Sequence, residues 1–199
     1  SVYAFTDRPK IHSGHENFSI GTFVLPTAAP PLDRNADETV IVIPLRASDE
    51  TAQKEVGGGL ERIGASTLLF LRQIGEVHWS VEGGQSGLYL RESKDIDEGV
   101  RRVTVIGQEH GLNETDDEWL LFSRAVTHYE HQVGHVEIAL AIGRDEKSKF
   151  ERIRPVEHSP LVVFFPTVVE THLGFLIQGP YRTTPSRDNL PGNVRGPVS

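Results

Sequence analysis

The residues best suited to chemistry lie in a polar stretch near the end of the sequence, at 182–189, which carries arginine, serine, threonine and asparagine side chains. Two short apolar runs precede it, at 161–165 and 173–177, and each ends at Gly or Pro. Such runs predict buried β-strands. A loop held by strands can present an arginine, whose planar guanidinium suits phosphate. From residue types alone, an ordinary surface loop is the simpler interpretation.

A second candidate for chemistry is a group of histidines in the stretch HYEHQVGH. His128, His131 and His135 are spaced i, i+3 and i+7, so on a helix they would share a face and form a zinc site. Gly134, and the strand pattern that begins at His135, argue against a continuous helix. The chain has no cysteine and no His-Glu-x-x-His motif. The favoured interpretation is a polar connection between two strands, and a histidine-based metalloenzyme is the alternative.

The glycine run at 57–59 resembles a phosphate-binding loop that opens a helix. It lacks the Gly-Lys-Ser/Thr of that loop, and no apolar strand directly precedes it. Three consecutive glycines are costly inside a helix. We therefore predict a flexible linker here, with a domain boundary near residue 47.

The totals fit a soluble globular protein. The chain has 199 residues, of which 37% are hydrophobic and 24% are charged, with no run of apolar residues long enough to cross a membrane. The absence of cysteine excludes disulfides and thiol chemistry. The net charge of -8 argues against a broad nucleic-acid surface, although residues 179–199 carry three arginines against one aspartate. The absence of methionine indicates a piece of a larger protein.

The first part of the chain reads as β-structure. Residues 10–13 and 17–24 predict a hairpin around Gly14. Residues 25–37 form a Pro-rich loop, and the β-branched stretch at 39–45 predicts a buried strand.

The second part reads as one helix followed by strands. Apolar residues at helical spacing predict a helix over 60–74. Beyond it, we predict strands in the stretches VHWSVEG, SGLYLRES, VRRVTVIG, EWLLFSRAV and HVEIALAIG. Gly83-Gly84 predicts a hairpin turn. The acidic stretches at 94–99 and 113–118 predict solvated turns.

Several stretches, taken together and in order, resemble the GHKL ATPases. This superfamily includes gyrase, the ninety-kilodalton heat-shock chaperone, histidine kinases and MutL, and the likeness is to its sacsin-like branch. SVYAFTD with KIHS resembles the segment after the glycine-rich lid, and LLFLRQI resembles the first helix after the ATPase domain. FFP with THLGFLIQGPYRTTPSRDNLP resembles the closing part of the following, transducer-like domain.

The resemblance implies roles for three residues. Ser186-Arg187-Asp188-Asn189-Leu190 matches a Ser-Arg-acidic-x-Leu motif that supplies an arginine to the ATP γ-phosphate, so Arg187 is the implied catalytic residue. Thr39 resembles the threonine of the last nucleotide-site motif. Arg182 is a second, weaker candidate for contact with the nucleotide.

The resemblance also implies the fold and the domains. We expect an α+β protein in which residues 1–46 form an incomplete Bergerat-type ATPase β-layer. Residues 47–199 would form a transducer-like or middle-domain-like mixed sheet with helices. The Asn-bearing helix that holds Mg²⁺, the Asp-x-Gly loop for adenine and the glycine-rich lid are absent from this sequence. ATP and Mg²⁺ are therefore expected for the parent protein, and neither is expected to bind this chain alone.

The expected function is the C-terminal portion of a cytoplasmic, chaperone-like ATPase that couples ATP binding and hydrolysis to conformational change. The implied partners are the N-terminal half of the ATPase domain, a protein client and a second copy of the protein. Nucleic acid and membranes are not expected. The alternative is a non-catalytic module that binds protein or peptide, in which Arg187 is only structural.

Overall fold

The computed structural model describes residues 5–45, 50–61, 63–109, 115–128, 130–144 and 150–184. They form thirteen strands, one α-helix and one 3-10 turn, and the chain divides into two compact units at residues 1–60 and 61–199. The described chain is mostly β, so the predicted α+β fold, with an ATPase β-layer followed by a transducer-like sheet with helices, is wrong. Residues 63–74, which were expected to be helical, contain only a 3-10 turn, and the acidic stretches that were expected to be turns are largely strand.

The first unit holds a four-stranded antiparallel sheet in the order β3-β2-β1-β4. Its strands are β1 (Lys10–Ser13), β2 (Glu16–Gly21), β3 (Leu25–Ala28) and β4 (Thr39–Val42). The predicted hairpin around Gly14 is confirmed, and this glycine has a φ of +54° that few other residues adopt. Two predictions are wrong here. Part of the expected Pro-rich loop is β3, and β4 is an edge strand with Ile41 61% exposed rather than a buried strand.

The one helix of the described residues, α1 (Glu50–Glu61), runs through the glycine run at 57–59. The predicted glycine linker is therefore wrong, and the buried side chain of Ala52 shows that packing supports this helix against its poor propensity. The helix predicted over 60–74 is also wrong. The α-helix ends at Glu61, and Gly64 is extended, with φ -106° and ψ 170°, just before a 3-10 turn at Ala65–Leu68. The predicted boundary at 46/47 lies outside the described residues.

The second unit is built on a nine-stranded sheet in the order β12-β11-β13-β9-β8-β7-β6-β5, with β10 also paired to β9. Its strands are β5 (Glu76–Ser80), β6 (Ser86–Asp97), β7 (Val100–Glu109), β8 (Thr115–His128), β9 (His131–Arg144), β10 (Glu151–Arg154), β11 (Pro160–Val163), β12 (Phe165–Glu170) and β13 (Leu176–Gln178). Strands β5 to β9 form an antiparallel meander, and β11 runs parallel to β13.

The sequence patterns located the strands of the meander well. The five strands predicted between residues 77 and 143 are present as β5 to β9, and Gly83 lies in the predicted turn with a φ of +67°. The predicted acidic turn at 94–99 is shorter than expected, because β6 continues to Asp97. The turn is made by Gly99, where a Cβ atom would lie 2.7 Å from the backbone oxygen of Ser123. The turn expected at 113–118 is likewise strand from Thr115 onward.

The core of the second unit lies against one face of this sheet. Leu68, Leu69 and Phe70, at and just after the 3-10 turn, are buried, and the turn contacts β6 and β7. The five strands of the meander contribute the buried residues Trp79, Tyr89, Val103, Val105, Trp119, Leu121, Ala139 and Ala141, and β11 and β13 contribute Leu161, Val162 and Leu176. The hydroxyl of Tyr89 donates a 2.6 Å hydrogen bond to the backbone oxygen of Ile63. Burial of this apolar surface is the main stabilising contribution to the unit.

Charged side chains connect β10 to the meander. Arg102 on β7 bonds Glu118 at 2.7 Å and Glu151 at 2.5 Å, so one guanidinium joins β8 and β10. The hydrogen bond from Arg102 lowers the pKa of the Glu151 carboxyl, and the two carboxylates raise the pKa of Arg102.

Among the described residues, no helix is long and apolar enough to cross a membrane.

Candidate functional site

A cavity of about 420 Å³ opens where four segments of the second unit meet. We name it the Phe164 cavity. It is lined by the segment after the 3-10 turn, the start of β9, the β11–β12 turn and the end of β13, with the residues Phe70, Leu71, Arg72, Gln73, Ile74, Gly134, His135, Glu137, Phe164, Gln178, Gly179 and Pro180. Its size and mainly apolar lining are typical of a site for a small organic group.

Strand pairing places two buried polar side chains side by side in the cavity wall. Strand β13 lies antiparallel to β9 with Gln178 opposite Glu137, so both side chains point to the same face of the sheet. Glu137 is 1% exposed and Gln178 is 8% exposed. A polar group this deeply buried is costly unless it is hydrogen-bonded.

Glu137 is held by two arginines. Its Oε1 accepts hydrogen bonds from Arg72, at 3.2 Å from Nε and 2.8 Å from Nη2, and from Arg101 Nη2 at 2.6 Å. Arg72 Nη2 also donates to the Ser123 hydroxyl at 2.6 Å. Charge-assisted bonds of this kind are short and strong. They fix Arg72 and Glu137 in place at the floor of the cavity.

A third arginine, Arg91 on β6, lies close enough to Glu137 to interact with its charge. Burial lowers the pKa of Arg91 on β6, repulsion from Arg101 and Arg72 acts in the same direction, and attraction to Glu137 opposes it. Among the described residues, no hydrogen-bond partner meets its buried Nε and Nη2 atoms. Three guanidinium groups therefore interact with one buried carboxylate, that of Glu137.

Two hydrogen-bond acceptors of residues that line the cavity, Gln178 Oε1 and Glu137 Oε2, have no partner or only a weak one among the described residues. Within the described residues, the buried Oε1 atom of Gln178 has no hydrogen-bond partner. The Gln178 amide donates to Glu137 Oε2 over a long distance of 3.4 Å, which is a weak bond. A buried acceptor left without a partner costs about 1 to 3 kcal/mol. Because this oxygen has almost no accessible surface, it is not open to a ligand in the cavity.

The backbone at the rim of the cavity is strained. Phe164 joins β11 to β12 with a φ of +64°, and its side chain is 60% exposed. A bulky residue in this region is a true outlier and costs on the order of 1 to 3 kcal/mol. Elsewhere in the lining, a Cβ atom on Gly134 would lie 3.0 Å from Pro180 Cβ, so glycine favours the close approach of β9 to that proline. Strain of this kind clusters at functional sites.

A polar hollow of about 460 Å³ lies on the other side of Arg72. Arg72, Arg101 and His135 line it together with two exposed acidic residues, Asp95 and Glu98. Because both signs of charge are present, the hollow does not select one class of ion. We therefore treat the Phe164 cavity as the candidate site.

The structure describes two of the three residues that were predicted to bind nucleotide, Thr39 and Arg182. Thr39 opens β4 in the first unit, where its hydroxyl lies 2.7 Å from that of Ser13 on the neighbouring strand. Arg182 is exposed just after β13 in the second unit. Arg187 and the rest of the Ser186–Leu190 motif lie outside the described residues. The nucleotide roles of these three residues stay predictions.

The histidine group does not form a helical face. His128 pairs with His131 across the turn from β8 to β9, and His135 lies further along β9. The interpretation as a connection between two strands is confirmed. Within the described part of the chain, no three His, Cys, Asp or Glu residues are grouped as metal ligands.

Sequence reasoning missed the residues that build the cavity. One signal was available for Glu137, because alternation along HVEIALAIG places it on the same face as Ala139 and Ala141. Arg72 and Gln178 gave no such signal, since their partner Glu137 is 65 and 41 residues away in the sequence.

The chain was also compared with known proteins. No protein-family model matches it. No curated protein and no solved structure matches it either. The geometry of the site therefore carries the functional argument, with the sequence resemblance beside it.

Proposed function

We propose that this chain is a non-catalytic binding module and that its binding site is the Phe164 cavity. The single observation that carries this proposal is a mainly apolar cavity of about 420 Å³ that is lined in part by the exposed aromatic ring of Phe164. Most ligand sites combine apolar walls with a few polar groups that orient the ligand. A partner that fills the cavity would bury the apolar surface of its walls, which is favourable.

The residues around the cavity are better suited to binding a ligand than to catalysing a reaction. Glu137 and Arg72 are engaged with each other, and Arg72 also binds Ser123. Side chains held in this way are suited to positioning a ligand. The strained Phe164 offers an exposed aromatic ring at the rim, and aromatic rings supply large contact areas in binding sites.

The experiment is a titration of the chain with toluene, followed by amide chemical shifts in nuclear magnetic resonance spectra. We expect saturable binding with a Kd on the order of 1 mM, as for a ligand of this size. The shifts should centre on Gly134, Phe164 and Gly179. Phe164→Ala should weaken toluene binding about fivefold by removing an aromatic contact.

Phe165→Ala is the matched control, because Phe165 is the neighbouring residue and is also exposed, at 55%, but does not line the cavity. This variant should bind toluene like the unmodified chain. Equal weakening by the two substitutions, or no saturable binding by the unmodified chain, would contradict the proposal.

A second candidate function is the coupling region of a larger, cytoplasmic GHKL-type ATPase, as the sequence resemblance implies. The observation that favours it is the match of Ser186–Leu190 to an arginine-bearing motif, in a stretch that follows β13 directly. In this proposal Arg187 contacts the ATP γ-phosphate, and Thr39 and Arg182 are secondary contacts. ATP and Mg²⁺ belong to the larger protein, with an N-terminal half, a client and a second copy as partners. ATP turnover by that protein with Arg187→Ala is the test.

A further inference from the structure

We infer that the second face of the nine-stranded sheet, which points away from the buried core, binds the same face of a second copy of this chain. We name this surface the β9 face. Its centre is formed by the side chains of six apolar residues, namely Leu120, Phe122, Val136, Ile138, Leu140 and Ile177. The inference goes beyond the proposed binding function, because it concerns a surface that does not include the Phe164 cavity.

The strand register determines which side chains form the β9 face. Four apolar residues lie directly opposite one another on four neighbouring strands, namely Ile177, Ile138, Phe122 and Val100. Residues paired in this way point to the same side of a sheet. Leu121 and Ala139, each one residue further along its strand, are buried on the other side. Phe122 is 39% exposed, and its three partners are half-buried.

The β9 face is apolar along the whole central part of β9. Val136, Leu140 and Ile142 are half-buried and alternate with residues of the core. Ile153 on β10 pairs with Ile142 and is 54% exposed. An open groove of about 590 Å³ lies over one end of the face. An antiparallel sheet with one face on a core usually has a polar second face, so a second apolar face indicates a surface that a partner covers.

The size of the β9 face matches what a stable dimer needs. Four neighbouring strands about 4.8 Å apart, with seven residues of β9 that rise about 3.3 Å each, give an apolar area of about 20 Å by 23 Å. This centre of roughly 450 Å² is more than half of the surface, about 800 Å², that each partner contributes to a standard interface. An apolar centre within a polar rim is the usual composition of an interface.

The charges on β8 make the β9 face complementary to itself. Four residues of this strand lie on the face, namely Glu118, Leu120, Phe122 and Arg124, so the apolar pair has an acidic residue at one end and a basic residue at the other. Glu118 and Arg124 are each three residues from Leu121. A two-fold axis between the sheets, across the strands at the level of Leu121, therefore places Arg124 of each copy over Glu118 of the other.

The other charges of the ionic cluster on this face do not oppose a second copy. Arg102 bonds Glu118 and Glu151, and Arg144 also bonds Glu118, so the two arginines and two glutamates of this cluster have no net charge. Arg124 is exposed and therefore open to a contact with the second copy. Such ion pairs at a rim select the orientation of the partner more than they add affinity.

Sedimentation velocity on a dilution series of the unmodified chain tests the inference. We expect a monomer–dimer equilibrium with a Kd on the order of 10 μM, as for an interface of modest size. Phe122→Lys should weaken the dimer at least about tenfold, because it places a charge in the apolar centre. Val168→Lys is the matched control, since Val168 is 70% exposed on β12 and lies outside the β9 face. This variant should dimerise like the unmodified chain.

A charge reversal tests the orientation of the two copies. Arg124→Glu places a carboxylate against Glu118 of the other copy, so the dimer should weaken about tenfold. Arg182→Glu makes the same change in net charge at an exposed position outside the β9 face, and it should leave the dimer unchanged. Because Arg124 is exposed, this substitution still decides if Phe122→Lys does not fold.

A chain that stays monomeric at about 100 μM, tenfold above the expected Kd, overturns the inference. Equal weakening by Phe122→Lys and Val168→Lys, or dimers that neither Phe122→Lys nor Arg124→Glu weakens, would place the contact elsewhere and would also overturn it. Weakening by Phe122→Lys with no effect of Arg124→Glu would contradict the two-fold pairing. A monomer that binds a fluorescent apolar dye, with binding lost in Phe122→Lys, would assign the β9 face to a different partner and overturn pairing with a second copy.

Discussion

At the scale of single residues, the balance of charge around Glu137 is the most informative feature of the second unit. One carboxylate accepts hydrogen bonds from Arg72 and Arg101, and Arg91 lies nearby with two buried nitrogens that have no hydrogen-bond partner among the described residues. A buried ion pair contributes little net stability, but a buried charge without a partner is costly. The three arginines should therefore differ in what they contribute to folding.

We predict that Arg91→Met leaves the free energy of unfolding unchanged or raises it. The substitution removes an uncompensated guanidinium, relieves its repulsion of Arg72 and Arg101, and keeps an apolar stem of similar length. By contrast, Arg101→Met should lower the free energy of unfolding by about 3 kcal/mol, since it leaves part of the Glu137 charge unpaired.

Urea unfolding followed by tryptophan fluorescence measures both effects, because Trp79 and Trp119 are both buried in the second unit. Equal destabilisation by Arg91→Met and Arg101→Met would show that Arg91 has a stabilising partner and would contradict the prediction.

The same cluster shows which residues a sequence can reveal. The position of Glu137 on the core face follows from the alternation of β9, because a period of two fixes the face of every residue in a strand. The unpaired oxygen of Gln178 depends on the register between β13 and β9, and the strain at Phe164 depends on a turn between two strands. Neither is encoded in local spacing, so the candidate site could not be predicted.

At the scale of elements, strands were predicted far better than helices. The five strands of the meander are regular, apolar on one face and bounded by turn residues, and they lie where the patterns place them. The helical pattern from Leu60 to Ile74 was misleading. Of its spaced apolar residues only Leu68 is buried, and the core contacts are the consecutive residues Leu68, Leu69 and Phe70 at and after a 3-10 turn. Extended Gly64 precedes that turn. A short apolar run does not distinguish these two cases.

The attachment of β10 to the sheet gives a prediction for pH. The hydrogen bond from Arg102 lowers the pKa of Glu151 below its ordinary value of 4.5. A carboxyl whose pKa is lower in the folded state than in the unfolded state stabilises the fold at pH values above its unfolded-state pKa. This contribution is lost as the pH falls through the folded-state pKa. Glu151→Gln should therefore reduce stability at pH 7 by a small amount, and the difference from the unmodified chain should disappear below pH 4.5.

Thermal unfolding at a series of pH values tests this prediction. Glu157→Gln is a suitable control, because Glu157 is an exposed glutamate in the connection between β10 and β11. A pH-dependent loss of stability that Glu157→Gln shares would not come from the pair of Glu151 with Arg102. A Glu151→Gln difference that grows as the pH falls would have the wrong sign and would contradict the assigned ion pair.

At the scale of the whole molecule, the question is which of the two functions the chain serves. The described residues form two β units, and the cavity lies in the second unit. The polar stretch with Arg182 begins only two residues after Pro180, which lines the cavity. In the two proposals, the ligand of the cavity and the phosphate of ATP would therefore be bound by residues that are close together in the sequence. Binding and coupling are distinct functions, and they can be tested separately.

The coupling function makes the last prediction. Phosphoryl transfer depends mainly on positioning and on neutralisation of charge, and one transition-state arginine is worth about 10³ to 10⁵ in rate. Arg187→Ala in the larger protein should lower ATP turnover by a factor in this range while nucleotide binding is retained. Arg195→Ala, in the same C-terminal stretch but outside the motif, should leave turnover unchanged. Unchanged turnover with Arg187→Ala would remove this residue from the mechanism. Loss of turnover with both substitutions would point to a general effect of positive charge, and the binding module would then be the better supported function.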